Sequence, residues 1–158
     1  MADICILHGF LGAGKSTFAR KLARQNRTIV LNPDRWCMRL FSAETYEKNW
    51  DVCFAETVGV LWRRAAKHIA AGRSVVFDMG FWSKASRTEA RRKAEEMGAG
   101  FRHYYVYAPD EVLRQRLRGR EGTIAARNLE NFDELKALFE APDTDERFIL
   151  INGCQMER

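Results

Sequence analysis

Apolar positions along this chain fall into two alternating textures. Short unbroken runs occur at Ile4-Cys5-Ile6-Leu7, Thr28-Ile29-Val30-Leu31, Ser74-Val75-Val76-Phe77, Phe101 to Tyr107 and Phe148-Ile149-Leu150-Ile151. Runs of this length with no polar alternation predict strands buried on both faces, as in a parallel sheet. Between them, apolar residues recur at three- and four-residue spacing, which predicts amphipathic helices. Phe18, Ala19, Leu22 and Ala23 open the first helix, and Arg35 to Phe41 reads as a short second one. Tyr46 to Ala71 reads as one long helix stopped by Gly72. Ser83 caps a helix running to Gly98, and Pro109-Asp110-Glu111 opens another that runs into Arg118-Gly119-Arg120. Glu121 to Asn128 is polar and contains glycine, and reads as a mobile lid within about residues 116–130. Asn131 to Glu140 is helical until Pro142 and Asp143. Strand and helix alternate without repeats or linkers, so the expected fold is α/β. It is a three-layer sandwich in one domain, residues 1–158, with a parallel sheet of about five strands and helices on both faces.

The first strand and first helix are joined by Gly9-Phe10-Leu11-Gly12-Ala13-Gly14-Lys15-Ser16-Thr17. This is a full match to the phosphate-binding P-loop pattern, in the strand–loop–helix context the motif requires. The expected fold is therefore of the P-loop NTPase kind. Gly9, Gly12 and Gly14 lack Cβ atoms, so backbone N–H groups can close on phosphate oxygens at the positive end of the helix dipole. Lys15 is expected to reach the β- and γ-phosphates, Ser16 to place its hydroxyl on Mg²⁺, and Thr17 to face the α-phosphate. Ala13 belongs to the same cradle.

Ligands of an open parallel sheet gather at the carboxyl ends of its strands. Asp34 follows the second strand, where it suits either a general base toward an acceptor hydroxyl or the cap of the next helix. Asp78 ends the Ser-Val-Val-Phe run as a Walker B aspartate would, a candidate partner for Mg²⁺. Arg116 and Arg120 flank the buried stripe Val112, Leu113 and Leu117, and are candidates for clamping the triphosphate; Arg114 and Arg118 point elsewhere and read as solvated. Arg35, Trp82, Lys84 and Arg87 are candidate acceptor contacts. His8, His68 and His103 are scattered and receive no chemical role.

A length of 158 residues suits one substantial core. The formal charge is +5 and the isoelectric point about 9.2. The basic residues are dispersed, so nucleic acid is a permitted partner but not a favoured one. Cys5, Cys37, Cys53 and Cys154 show no metal or C-x-x-C spacing and read as free buried thiols of a reducing cytoplasm. No run approaches the length of a membrane span, and no secretory signal opens the chain.

Taken with Asn32-Pro33-Asp34-Arg35-Trp36, Val75 to Lys84 with Arg87, Arg116 and Arg120, and Phe139-Glu140-Ala141-Pro142, the loop resembles a family of small P-loop kinases. The likeness is strongest to bacterial AAA-type ATPases or predicted kinases, related to polynucleotide kinases, zeta toxins and chloramphenicol phosphotransferase. The resemblance implies ATP-dependent phosphotransfer with Mg²⁺, Asp34 as base and lid arginines on the donor phosphates, the acceptor being a hydroxyl-bearing small molecule or nucleotide-like compound. Polynucleotide kinases typically carry arginine three residues after that aspartate. Cys37 stands there, which argues against a 5′-hydroxyl nucleic-acid acceptor. Polynucleotide 5′-hydroxyl kinase or RNA-repair activity, and a regulatory ATPase without an acceptor, are the alternatives.

Overall fold

The computed structural model describes residues 1–156. Its strands are β1 (Asp3–His8), β2 (Ile29–Leu31), β3 (Val75–Phe77), β4 (Gly100–Tyr107) and β5 (Ile149–Asn152). All neighbours pair in parallel, in the order β2-β3-β1-β4-β5. The helices are α1 (Lys15–Asn26), α2 (Pro33–Leu40), α3 (Ala43–Lys48), α4 (Trp50–Ala70), α5 (Lys84–Glu96), α6 (Asp110–Arg118), α7 (Thr123–Glu130) and α8 (Phe132–Ala137). A 3₁₀ turn at Gly153–Gln155 follows β5.

Successive residues of a strand face opposite sides of a sheet, and β1 divides its side chains accordingly. Cys5 and Leu7 join Val76, Tyr104 and Val106 against α1 and α6, through Phe18, Leu22, Leu113 and Leu117. Ile4 and Ile6 join Leu31, Val75 and Phe77 against α4 and α5, through Leu61, Ala65, Ala90 and Ala94. Both faces are covered, which is why the strands carry no polar alternation. On α4 the buried residues Cys53, Thr57, Leu61 and Ala65 recur every four positions, one stripe along one side.

Two expected elements and one expected thiol differ in detail. The long helix expected over Tyr46 to Ala71 is two helices, broken where Asn49 leaves helical geometry (φ −136°, ψ 44°). Ser42 caps the first of them by accepting from the Thr45 N–H. The segment expected as an irregular lid is largely α7. Its run Ala-Ala-Arg-Asn-Leu-Glu holds good helix formers, and Ala125 is buried. Only the short stretch between Arg118 and Thr123 lacks regular structure. Cys5, Cys37 and Cys53 are buried free thiols as expected, whereas Cys154 is exposed because it lies on the terminal 3₁₀ turn. None of the described helices is long and apolar enough to cross a membrane.

Candidate active site

The loop after β1 forms a tight backbone cradle at the start of α1. Gly12 and Gly14 take φ values of +81° and +106°, which a side chain would strain. The loop is held from three sides. The Gly9 N–H donates to the Gly80 carbonyl at 3.1 Å, tying it to the segment after β3. Gly153 lies so close beneath it that a Cβ there would meet the Ala13 carbonyl oxygen at 2.3 Å. Arg116 forks between the two, donating to the Gly12 carbonyl at 3.0 Å and the Gly153 carbonyl at 2.7 Å. Arg116, expected to clamp the triphosphate, here ties the P-loop to the turn after β5 through its guanidinium.

Lys15 folds back so that its Nζ donates to the Phe10 carbonyl at 2.8 Å. Its pKa is lowered to about 8, chiefly by burial; the Arg120 charge adds to this, while Asp78 and Asp34 oppose it. Four charges from four segments therefore meet here. Asp78 is buried at the end of β3 and accepts from Asn32 Nδ2 at 2.9 Å. Asp34 is solvent-accessible on the first turn of α2. Its carboxyl pKa is raised, first by partial burial and then by Asp78, with Lys15 pulling it down. The helix-cap alternative for Asp34 is removed, because Asn32 is the cap: its Oδ1 accepts from the Arg35 N–H at 3.0 Å. Asn32 thus fixes both the start of α2 and one oxygen of Asp78. Asn and Asp cap helices about equally well, so the Asn-Pro-Asp sequence alone does not say which residue takes that duty.

Three of the four candidate acceptor contacts are committed elsewhere. Arg87 is 2 % exposed. Its Nε and Nη2 donate to the two carboxylate oxygens of Glu146 at 2.7 and 2.8 Å, and its Nη1 donates to the Phe81 carbonyl at 3.0 Å and the Glu140 carbonyl at 3.2 Å. That pairing holds the Glu146 carboxyl down to about 2. Lys84 pairs with Asp143 and Asp145, both at 2.9 Å. Trp82 stacks on Phe10 at 5.1 Å between ring centres and meets Phe139 edge-on. These residues clasp the segment from Phe139 to Glu146 against the turn after β3 and support Phe10 of the P-loop. Arg35 remains exposed beside Asp34. Arg114, expected as solvated, lies over the Phe132 ring at 3.9 Å and pairs with Asp133.

The histidines without an expected role include a buried pair. His8, fully buried at the end of β1, meets His103 on β4 with 3.1 Å between Nδ1 and Nε2. His8 Nε2 donates to the Glu140 carbonyl at 2.8 Å, so Nδ1 is the acceptor and His103 Nε2 carries the proton between them. Burial is the main cause that depresses both, His8 to about 3 and His103 to about 4, with Arg87 contributing to each. The register pairs His8 with Tyr105 and Ile6 with His103, a relation that only the β1–β4 pairing reveals.

No described group of three or more His, Cys, Asp and Glu residues could hold a metal ion unaided. The donors present fit Mg²⁺ of the kind that completes its shell with phosphate oxygens and water. Ser16 offers an exposed hydroxyl on the first turn of α1, and Asp78 a carboxylate with one oxygen anchored by Asn32.

Parallel order, P-loop, and carboxylates at the ends of β2 and β3 define a small P-loop kinase. The profile of the family described as an AAA domain matches residues 4–142, and the chain belongs to that family. An adenylyl-sulfate kinase of Myxococcus xanthus (strain DK1622) is 35 % identical over 147 residues, covering 87 % of this chain and 75 % of that protein. Among solved structures, a sugar kinase from Janibacter sp. HTCC2649 in unliganded form superposes with a TM-score of 0.71 at 19 % identity, over 98 % of this chain and 87 % of that one. A gluconokinase from Sinorhizobium meliloti 1021 gives 0.69 at 17 % identity, over 98 % and 83 %. At these identities the two structures establish the shared fold.

Proposed function

We propose that the protein transfers the γ-phosphate of ATP to a hydroxyl group of a small molecule, with Asp34 as general base. The observation that carries this reading is the placement of Lys15 after β1, Asp34 after β2 and Asp78 after β3, with Asn32 joining the last two segments by donating to Asp78 at 2.9 Å. The kinase relatives support the reaction type; adenylyl sulfate, sugars and gluconate are the acceptors their names record.

The P-loop N–H groups and Lys15 bind the β- and γ-phosphates, which requires Lys15 to leave the Phe10 carbonyl for phosphate oxygens. An open groove of roughly 540 Å³ beside α1, lined by Thr17, Arg20, Lys21, Gln155 and Met156, receives the nucleoside end. Ser16 and Asp78 would hold Mg²⁺, which neutralises phosphate charge when bound. Asp34 accepts the proton of the acceptor hydroxyl as it attacks, and its raised pKa suits that task. Arg120, whose charge already reaches Lys15, contacts the donor phosphates, while Arg116 keeps the cradle in shape. The position three residues after Asp34 is Cys37, fully buried, with its Sγ 3.1 Å from Thr57 Oγ1. It offers no cation to a phosphorylated or nucleic-acid acceptor.

The test is transfer of terminally labelled phosphate from ATP to a panel of nucleosides, sugars, aldonates, hydroxyl-bearing antibiotics and 5′-hydroxyl oligonucleotides. Label is expected on one small-molecule class and is lost in Lys15→Ala. Release of free phosphate alone would point to the regulatory ATPase instead.

A further inference from the structure

One aromatic cluster near Asp34 has no part in either hydrophobic core. Trp50 starts α4 and is 49 % exposed, yet its indole is fixed: Nε1 donates to the Tyr46 hydroxyl at 2.7 Å. Phe54, one turn further along α4, stacks on it at 5.2 Å and 21°. Tyr46 lies on α3, close enough to α2 that the Asp34 charge helps raise its phenol pKa, behind burial as the larger cause. The α2, α3 and α4 helices pack closely here: Cys37 Sγ lies 3.1 Å from Thr57 Oγ1, and Cys53 Sγ lies 3.9 Å from the Thr45 carbonyl beside Tyr46. Arg35 is exposed beside Asp34, and three other neighbouring cations have partners. Arg39 and Arg64 lie over the Trp36 ring at 5.6 and 4.5 Å, and Lys48 pairs with Glu44.

We infer that Tyr46, Trp50 and Phe54 form a stacking shelf for the acceptor, which is a hydroxyl-bearing small molecule presenting a flat ring face to Trp50 while its hydroxyl reaches Asp34. This deepens the kinase reading above and rests on it. An indole held by a hydrogen bond and backed by a second ring loses little freedom when a ligand stacks on it. A heteroaromatic base and the CH face of a sugar ring both satisfy that chemistry, and the shelf accepts either.

Two readouts test this independently. The first is ligand-induced change in tryptophan fluorescence, comparing wild type with Trp50→Phe so that Trp36, Trp62 and Trp82 serve as a constant background. Nucleosides and sugars are titrated separately, which distinguishes the two ring types. A saturable change with one ring class that is absent in Trp50→Phe is expected. The second is acceptor kinetics. Trp50→Ala should raise the acceptor KM about tenfold with kcat falling far less, and Trp50→Phe should restore KM to within about threefold. Phosphate transfer to an acyclic acceptor, or to any acceptor with an unchanged KM in Trp50→Ala, would overturn the shelf and leave the kinase reading intact. Ring binding at Trp50 without transfer to any bound compound would sustain the shelf and overturn the kinase reading. Neither fluorescence change nor transfer across the panel would overturn both.

Discussion

Replacing Arg87 with alanine should unfold the protein more readily without touching its chemistry. The guanidinium is almost wholly buried and Glu146, its partner, is partly buried, their side chains 2 % and 13 % exposed. Removing Arg87 strands a carboxylate whose pKa is held at about 2 by that pairing, and frees the Phe81 carbonyl, while the Glu140 carbonyl keeps its bond from His8. Breaking one partner out of a buried pair costs about 3–5 kcal/mol. For a chain of this size that corresponds to a fall in melting temperature on the order of 10 °C. Urea unfolding followed by far-ultraviolet circular dichroism measures the loss directly as a lower midpoint. The paired replacement Arg87→Met with Glu146→Leu should recover much of it, since two apolar groups leave no uncompensated charge. A midpoint equal to wild type in Arg87→Ala, together with a raised acceptor KM, would refute this reasoning and return Arg87 to the acceptor site.

Arg116→Ala should lower stability by roughly 2–4 kcal/mol and weaken nucleotide binding, since two charge-assisted bonds to the Gly12 and Gly153 carbonyls are lost; Arg116→Lys should rescue only partly, for want of a fork. Unchanged melting in Arg116→Ala would count against the locking role. The buried His8–His103 pair should make stability fall with acid. Below about pH 6.5 the unfolded chain takes up protons that the folded histidines, at about 3 and 4, refuse, so stability drops by up to about 1.4 kcal/mol per pH unit for each. Urea midpoints at pH 7 and pH 5 test this in a window above the titration of Glu146, and His103→Asn should show the smaller difference. Lys15 should lose its proton above about pH 8 in the nucleotide-free protein. Affinity for an ATP analogue should therefore weaken by nearly tenfold per pH unit beyond that point, and a flat profile to pH 9.5 would contradict it.

The sheet and the phosphate cradle were legible in the sequence because both rest on local signals: unbroken apolar runs, and glycines at fixed offsets. Helix boundaries were less so. The break at Asn49 comes from one residue's backbone angles inside an otherwise continuous pattern, and α7 follows two glycines, Gly119 and Gly122, that suggest a loop. The fates of Arg116, Lys84 and Arg87 were hidden for a different reason. Each depends on a partner distant in sequence, Gly153, Asp145 and Glu146, brought close only when the segment after α8 returns to the sheet edge. The same holds for His8 and His103, which meet through strand pairing. The pattern Asn32-Pro33-Asp34 did place a carboxylate at the carboxyl end of β2, but which residue capped α2 was a matter of geometry.

The central claim is that Asp34 activates the acceptor while the P-loop holds the donor. The most direct test compares wild type with Asp34→Ala for two quantities in one preparation: affinity for a non-hydrolysable ATP analogue, and phosphate transferred to the acceptor at saturating ATP. The account predicts analogue affinity within about threefold of wild type and transfer reduced by about 10²-fold or more, the scale of a lost general base. Transfer near the wild-type rate in Asp34→Ala would contradict it.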